Sequence, residues 1–417
     1  MTKSQDLLFE LLLVSTGARK SLSQGYTERE WEEAYCMAEE QTVSGVMLSA
    51  LERIQENVNA NARSAQGDAC QSKNLNENAN DNARSAQGDA CQSKNLNNDN
   101  LNPNPNLNLG SNANVKGGRG ILPSKMLLLQ WIGSCQMIEA ETKRLEEAAE
   151  TTVRYFRENG FACQILKGCA VGRYYPEPLR RSSGDIDIWL DGGRKRIYDF
   201  ARAFDKEGKL YGVNYHHIHF HLIEDVHIEV HIWPSYLSSP LRNWRLHKFC
   251  KLHRPTMEAT MPSLAFDRVF IMLHAFQHLC GHGVGLRQVM DYFYVLRQGF
   301  TEEERKDAVY WIRQLGMGRF ARGLMWVLRE YFGLEERYML MEPDEREGRF
   351  IMHEVMLTGN MGHSDKRNWG SMRTPLSRFF LNLKRDFYLV GHYPHEAVWQ
   401  PVFSIWLYAW RLWKGLI

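Results

Sequence analysis

The chain has 417 residues and a formal net charge of +2, with 44% hydrophobic and 12% aromatic residues. This composition is ample for a sizeable core, which excludes a chain that is disordered throughout and allows two or three domains. The balanced charge favours neither presence nor absence of a nucleic-acid partner, because a local basic groove can exist within it. The eight cysteines form no CxxC pair. No signal-peptide pattern opens the chain, and we expect a reducing, cytoplasmic setting.

Residues 1–55 are predicted to be an N-terminal helical region, because apolar residues recur at helical spacing between Trp31 and Met47. Residues 56–120 are predicted to be a disordered insertion. The sixteen residues NARSAQGDACQSKNLN occur at Asn61 and again at Asn82, within a tandem repeat of period 21. Such asparagine-rich sequence cannot bury enough surface to offset its chain entropy. We interpret it as a duplicated spacer, with a binding or phase-separating role as the alternative.

Residues 121–257 combine helix and strand signals, and residues 258–417 are again predominantly helical. A long helix is predicted to begin at Pro123 and to end near Glu158, before Asn159 and Gly160. After it we predict a strand at 161–166, a turn with a helix at 167–175, a second strand at 185–189 and a helix at 194–204. A hairpin of two strands is predicted at 216–223 and 226–233. This order of elements predicts an α+β fold with helical regions on both sides.

Two carboxylates alternate with apolar residues in the second strand, which reads Gly184-Asp185-Ile186-Asp187-Ile188. Successive side chains of a strand point to opposite faces, so Asp185 and Asp187 share one face. Two like charges at that spacing raise each other's pKa unless a cation lies between them. The pair therefore predicts a divalent metal site, most economically one for Mg²⁺.

The predicted hairpin carries a second set of polar side chains. His217, His219 and His221 share one face of its first strand, and His227, Glu229 and His231 share one face of the second. A carboxylate in an apolar-backed strand is costly without a partner, so Glu229 is predicted to be the third acid of the site.

The histidines allow two interpretations. HxH followed by HxExH could bind a transition metal, as in cupin and zinc sites, but a cupin would be mostly β. The alternative, which we favour, is that these side chains line a substrate pocket or pack at a strand edge. His274, His278 and His282 lie one helical turn apart, where packing is the expected role and contact with a nucleotide or acceptor is the alternative.

These motifs resemble an uncharacterised nucleotidyltransferase family of the DNA polymerase beta-like superfamily. The resemblance covers nearly the whole chain outside the insertion. It rests first on three motifs, namely Leu166-Lys167-Gly168, the Asp-Ile-Asp strand and the strand Glu229-Val230-His231. Further matches are Tyr175-Pro176-Glu177-Pro178, Arg181, and Gly285-Leu286-Arg287-Gln288 followed by Asp291. Cys169 replaces the serine of the superfamily turn, which removes a hydroxyl donor but leaves backbone N–H groups that can hold an anion.

The resemblance implies a polymerase beta-like core, a small mixed sheet with helices, at residues 121–257. It further implies transfer of a nucleoside monophosphate from an NTP to an acceptor, with release of pyrophosphate. Two Mg²⁺ ions, or Mn²⁺ in their place, would be held by Asp185, Asp187 and Glu229. The implied nucleotide-binding residues are Lys167, Gly168, Cys169, Arg181, Gly184 and Arg287. Independently of the resemblance, His217, His219, His231 and His274 are the candidates for lining a substrate pocket. The acceptor stays open between a protein, an RNA and a small molecule. A toxin-like nucleotidyltransferase of abortive-infection type and a non-catalytic scaffold are the alternatives.

The last predicted helix, between Val402 and Ile417, contains Trp406, Trp410 and Trp413 together with Arg411 and Lys414. Its apolar run is too short to cross a bilayer. We expect this helix to pack on the core, with peripheral membrane contact as the less favoured alternative.

Overall fold

The computed structural model describes residues 2–77, 120–281, 283–362, 365, 367 and 375–415, and for residues 61–77, 361, 375, 376 and 378 it describes the backbone alone. It is an α+β protein in which a small mixed sheet lies between N-terminal and C-terminal helices. The expected fold class is confirmed.

The chain begins with helices that pack on one another and on a long fourth helix. They are α1 Lys3–Ser15, α2 Glu28–Glu40, α3 Ser44–Glu77 and α4 Lys125–Glu158. Thr2 and Thr27 form capping boxes that satisfy free N–H groups at the first turns of α1 and α2. Trp131 of α4 is fully buried and donates from Nε1 to the Ser44 carbonyl at 2.9 Å, which fixes α4 against the start of α3.

The prediction that disorder starts at residue 56 is wrong for residues 56–77, because α3 continues to Glu77. The start of α3 is anchored by buried apolar residues such as Leu51 and Ile54. A helix that is already nucleated adds a hydrogen bond for each further residue, so a polar sequence can extend it without a core of its own. The rest of the predicted insertion, residues 78–119, lies outside the described residues.

The sheet has four strands in the order β1-β2-β4-β3, namely β1 Ala162–Ile165, β2 Ile186–Asp191, β3 His217–His219 and β4 Ile228–His231. Strand β2 is antiparallel to β1 and parallel to β4, and β3 is antiparallel to β4. The predicted hairpin of β3 and β4 is confirmed, with shorter strands than expected. The chain between β1 and β2 forms a turn, the short helix α5 Cys169–Gly172 and a loop, and β2 is followed by α6 Gly193–Phe204.

The two faces of the sheet contact different parts of the molecule. Ile186, Ile188 and the apolar residues of β3 and β4 lie on one face, where they form a core with α6 and the C-terminal half of α4. Trp189 lies on the other face and stacks on Phe266 at 5.7 Å, within the core of the helical region. Because side chains alternate along β2, Asp187 also points toward the helical region.

The C-terminal region consists of α7 Pro240–Leu252, α8 Leu264–Cys280, α9 Leu286–Arg297, α10 Glu302–Gln314, α11 Gly318–Phe332, α12 Glu345–Thr358, α13 Pro375–Leu389 and α14 Pro394–Trp413. Helices α8, α9 and α11 contribute many of its buried apolar residues, including Phe270, Met272 and Tyr292. Helix α8 also carries His274, which lines a cleft beside the sheet.

Helix α14 is anchored on one side and exposed on the other. Phe403 stacks on Tyr236 at 5.0 Å, and the Glu396 carboxylate accepts a hydrogen bond from the Ser238 N–H. Val402 and Ile405 lie on the opposite side and are more than half exposed. The expected packing on the core therefore describes only one face of α14. No helix in the described part of the chain is long and apolar enough to span a bilayer.

Candidate active site

The three predicted acids lie on two adjacent strands of the sheet. Asp187 of β2 and Glu229 of β4 are directly paired in the parallel register, and Asp185 precedes β2 by one residue. The backbone keeps β2 and β4 neighbours, so the carboxylates of Asp187 and Glu229 share the polar face of the sheet. All three line one cleft of about 290 Å³ between the sheet and the helical region.

Asp187 is almost completely buried, and the side chains of Lys167 and His231 contact its carboxylate. Its Oδ1 lies 2.8 Å from Lys167 Nζ and 2.7 Å from His231 Nε2. Burial raises the pKa of Asp187, but the charge of Lys167 and the hydrogen bond from His231 outweigh it and hold the pKa well below its usual range. The carboxylate is therefore ionised at neutral pH.

Asp185 has a different environment although it is only two residues away. Its carboxylate is half-buried and makes no hydrogen bond or ion pair among the residues that the structure describes. The negative charge of Asp187 raises the pKa of Asp185, burial adds to this effect, and the charge of Lys167 opposes it. An additional cation in the cleft would relieve this repulsion.

Glu229 is surrounded by histidines. Its Oε2 lies 3.3 Å from His217 Nδ1 and 3.5 Å from His231 Nε2, and its Oε1 lies 3.9 Å from His219 Nε2. Burial raises the pKa of Glu229, but the hydrogen bond from His231 and the charges of the two nearest histidines lower it to about 2. Conversely, although burial lowers the pKa of His231, its hydrogen bonds to Asp187 and Glu229 raise it overall.

The turn after β1 brings Lys167 and Gly168 to the cleft. Gly168 has φ = 55°, a conformation that favours glycine, and a Cβ there would lie 3.4 Å from the Asp185 carbonyl oxygen. The Leu166 N–H donates to the Asp187 carbonyl at 2.9 Å, which ties the turn to β2. Cys169 is buried with the sheet core and is absent from the residues that line the cleft, and burial raises the pKa of its thiol to about 11.

Arg181 lines the cleft, but its guanidinium group is already occupied. Its Nε and Nη2 each lie 2.8 Å from the Asp291 carboxylate, and Nη1 donates to Ser183 Oγ at 2.9 Å. Tyr175 donates its hydroxyl to the same Asp291 at 2.6 Å. This buried network joins the loop before Asp185 to α9.

Arg287 approaches the cleft from the start of α9. Its Nη1 donates to the Ser182 carbonyl at 2.9 Å, and its Nε has no hydrogen-bond partner among the described residues. Burial and the charge of Arg181 lower the pKa of Arg287, whereas Asp291 and Asp185 raise it. It is a half-buried cation with unused donor capacity beside an acidic site.

The structure places the other predicted residues at different depths. Gly184, His217 and His274 line the cleft, whereas His231 lies behind Asp187 and is 1% exposed on its side chain. His219 lies beyond the cleft, beside Glu229. Burial lowers the pKa of His274 well below its usual range, with the charge of Lys167 adding to the effect. His278 lines the cleft, and His282 lies outside the described residues.

Sequence reasoning missed His216, Tyr236 and Gln277, which also line the cleft. Gln277 lies three residues after His274, on the same face of α8, so helical spacing could have identified it. His216 precedes the predicted alternating face by one residue. Tyr236 follows β4 in a segment without a repeating pattern, and its position required the structure.

The mixed sheet, the helical regions on both sides and three carboxylates at one cleft define a nucleotidyltransferase-type protein. A family model described as "Uncharacterised nucleotidyltransferase" matches residues 113–333, which is more than half of the chain. The chain belongs to this family, and general nucleotidyl transfer is its class of activity. No curated protein and no solved structure matches the chain significantly.

Proposed function

We propose that the protein transfers a nucleoside monophosphate from an NTP to an acceptor, releasing pyrophosphate, with divalent metal ions held by Asp185, Asp187 and Glu229. The observation that carries this proposal is the direct pairing of Asp187 with Glu229 on parallel strands, beside Asp185, in one cleft. A non-catalytic scaffold would have no need to keep three carboxylates together against their mutual repulsion.

The donor set fits Mg²⁺ or Mn²⁺. Carboxylate oxygens are the ligands that these hard ions prefer. The Asp185 carboxylate has no hydrogen-bond or ion-pair partner among the described residues, and its pKa is raised chiefly by the charge of Asp187. When bound, such ions lower the pKa of an acceptor hydroxyl and neutralise charge on the triphosphate. The other contacts to the triphosphate are made by side chains of the protein.

Lys167 and Arg287 are the cations that we propose to bind the triphosphate. Lys167 lies at the cleft 2.8 Å from Asp187, and its side chain keeps 18% exposure, so a phosphate oxygen can approach it from the open side. Arg287 has an Nε donor that no described residue uses. Charge that develops on the phosphate oxygens would be stabilised by both groups in a site partly shielded from water.

Arg181 is a positioning residue in this proposal. Its donors are occupied by Asp291 and Ser183, so it orders the loop that leads to Asp185. Gly168 supports the same geometry from the other side, because the lack of a side chain lets the turn approach the Asp185 carbonyl. The acidic pair is thereby held in place before substrate arrives.

The test is transfer of label from each of the four NTPs, carrying ³²P at the α-phosphate, by the full chain in the presence of Mg²⁺ or Mn²⁺ and a cell extract. Label in RNA, in protein or in a small molecule would identify the acceptor class. The double variant Asp185→Asn/Asp187→Asn should lose transfer, and Asp199→Asn, an exposed change on α6, should keep it. Absence of transfer from all NTPs, or transfer by the double variant at the parent rate, would overturn the proposal.

A further inference from the structure

We propose that His217, His219 and Glu229 form a binding position for a late first-row transition metal ion, with Zn²⁺ as the reference ion. This position goes beyond the proposed function, which needs only hard ions bound by oxygen. The two positions share Glu229, whose Oε2 lies nearest to His217 and whose Oε1 lies nearest to His219.

The register of the hairpin brings the three ligands together. His219 is the direct antiparallel partner of Glu229, and His217 lies two residues earlier on the same face of β3. One ligand atom from each of the three residues lies within 4.8 Å of the other two. This proximity is built into the strand pairing and does not depend on a mobile loop.

The distances suit a small tetrahedral ion. His217 Nδ1 lies 3.3 Å from Glu229 Oε2, and His219 Nε2 lies 3.9 Å from Oε1. Ligand atoms on an ion with bonds of about 2.1 Å are separated by about 3.4 Å. Closure around Zn²⁺ therefore requires His219 Nε2 to move closer to Glu229 Oε1, and the His219 ring is nearly parallel to the His217 ring, at an interplanar angle of 21°.

The chemistry of the ligands selects against Mg²⁺. Two imidazole nitrogens and one carboxylate suit Zn²⁺, whereas Mg²⁺ prefers oxygen ligands. His216 Nε2 lies 3.2 Å from His217 Nδ1, so a further nitrogen is near the position. Because His219 is 32% exposed on its side chain and His217 lines the cleft, an ion could reach this position from solvent and still face the cleft.

The test measures metal binding without nucleotide, so its outcome is independent of the transferase proposal. Full-length protein stripped with EDTA is titrated with Zn²⁺ in the presence of excess Mg²⁺, and Co²⁺ is used as a spectroscopic probe of coordination. We expect one ion to bind, and His217→Ala and His219→Ala to weaken binding more than about a hundred-fold, since each removes a direct ligand.

His395→Ala, an exposed change on α14, is the matched control and should bind as the parent does. Circular dichroism in EDTA checks that the variants fold, and His219→Ala is the safer variant because its site is more exposed. Asp185→Asn/Asp187→Asn should keep Zn²⁺ binding even though it loses transfer. The proposed metal position would be wrong if the parent failed to bind Zn²⁺ in the presence of excess Mg²⁺. It would also be wrong if both histidine variants bound Zn²⁺ with the affinity of the parent.

A separate observation concerns the outer face of α14, and from it we infer a docking surface for anionic lipid. Val398, Val402, Ile405 and Leu412 recur at spacings of three, four and seven residues, and each is more than half exposed. Trp413 at the end of the helix is 77% exposed. Such a stripe on a helix that is already anchored to the core by its other face indicates an external partner.

The charges of the last two helices favour an anionic surface. Asp386 and Glu396, their only carboxylates in the described residues, are buried, whereas Lys384 and Lys414 are exposed. Lys414 Nζ also lies 4.2 Å from the Trp413 ring, which pairs a cation with an interfacial aromatic side chain at the end of the stripe. Apolar insertion and attraction to acidic headgroups would act together.

Co-sedimentation with phosphatidylcholine vesicles, with and without phosphatidylglycerol, tests this surface. We expect binding several-fold stronger with phosphatidylglycerol, weaker binding at high salt, and loss in Val402→Glu/Ile405→Glu. Leu252→Glu, on an exposed position of α7, is the matched control. Equal sedimentation of the variant and the parent would overturn the lipid assignment. So would a concentration-dependent dimer that the α14 variant abolishes, since it would identify a second copy as the partner.

Discussion

Asp187 and Glu229 lie opposite each other on parallel strands, and His231 Nε2 contacts both carboxylates, at 2.7 and 3.5 Å. Asp185, two residues before Asp187, has no equivalent partner among the described residues. The two aspartates of one short motif therefore differ in role within the folded protein. Asp187 is part of a buried charge network, whereas Asp185 faces the cleft, and the charges of Lys167 and Arg287 only partly offset the rise in its pKa that Asp187 and burial cause.

This difference predicts opposite effects on stability. Asp187→Asn should lower the free energy of unfolding by about 3 kcal/mol, because it leaves Lys167 and His231 without their common partner. Asp185→Asn should leave stability unchanged or raise it slightly, because it removes a repulsion. Urea unfolding in EDTA measures both, and both variants should lose nucleotidyl transfer. A similar loss of stability in the two variants would contradict this account of the site.

The two arginines at the cleft should also differ. Arg287→Lys removes the unused Nε donor proposed for phosphate and should raise KM for the NTP with little change in stability. Arg181→Lys cannot reproduce the two-point contact with Asp291 and should lower the free energy of unfolding by about 3 kcal/mol. Steady-state kinetics and urea unfolding of each variant separate binding from positioning. A raised KM without destabilisation in Arg181→Lys would instead make Arg181 a phosphate ligand.

Much of the site was predictable because strand periodicity is a local property. Alternation alone placed Asp185 and Asp187 on one face and grouped Glu229 with His227 and His231. The pairing of Arg181 with Asp291 was not predictable in this way, since it joins residues 110 positions apart through tertiary packing. The direction of the Cys169 side chain depends likewise on how α5 meets the sheet core.

The extent of α3 illustrates a different limit. Composition predicted that residues 56–77 could not fold, because their side chains cannot form a core. The backbone nevertheless continues the helix that Leu51 and Ile54 anchor. Composition describes what a segment can bury, whereas helix propagation depends on what precedes it in the chain.

Cys169 allows a direct test of the turn that follows β1. Cys169→Ser introduces a hydroxyl there, but the side chain is buried and is not among the cleft-lining residues. We expect transfer to change less than about twofold and the free energy of unfolding to fall by about 1–3 kcal/mol, because a buried hydroxyl needs a partner. Transfer kinetics with Mg²⁺ and thermal unfolding provide the measurements. A large gain in affinity for the NTP would show that the side chain at this position reaches the phosphates.

Acidification should destabilise the protein through its buried neutral histidines, and His247 provides a test away from the cleft. Its ring stacks on Trp233 at 3.9 Å, and burial, together with the charges of Lys251 and Arg194, lowers its pKa from 6.5 to about 4. A folded-state pKa below the unfolded value gives a stabilisation that is present above about pH 6.5 and lost as the pH falls toward 4. His247→Phe keeps the stacked ring and removes the titration. In urea unfolding, the free energy of unfolding of the variant should therefore fall less than that of the parent between pH 7 and pH 5. The substitution also removes Nε2, which is buried and has no hydrogen-bond partner among the described residues. An identical pH dependence in parent and variant would mean that His247 titrates normally in the folded protein.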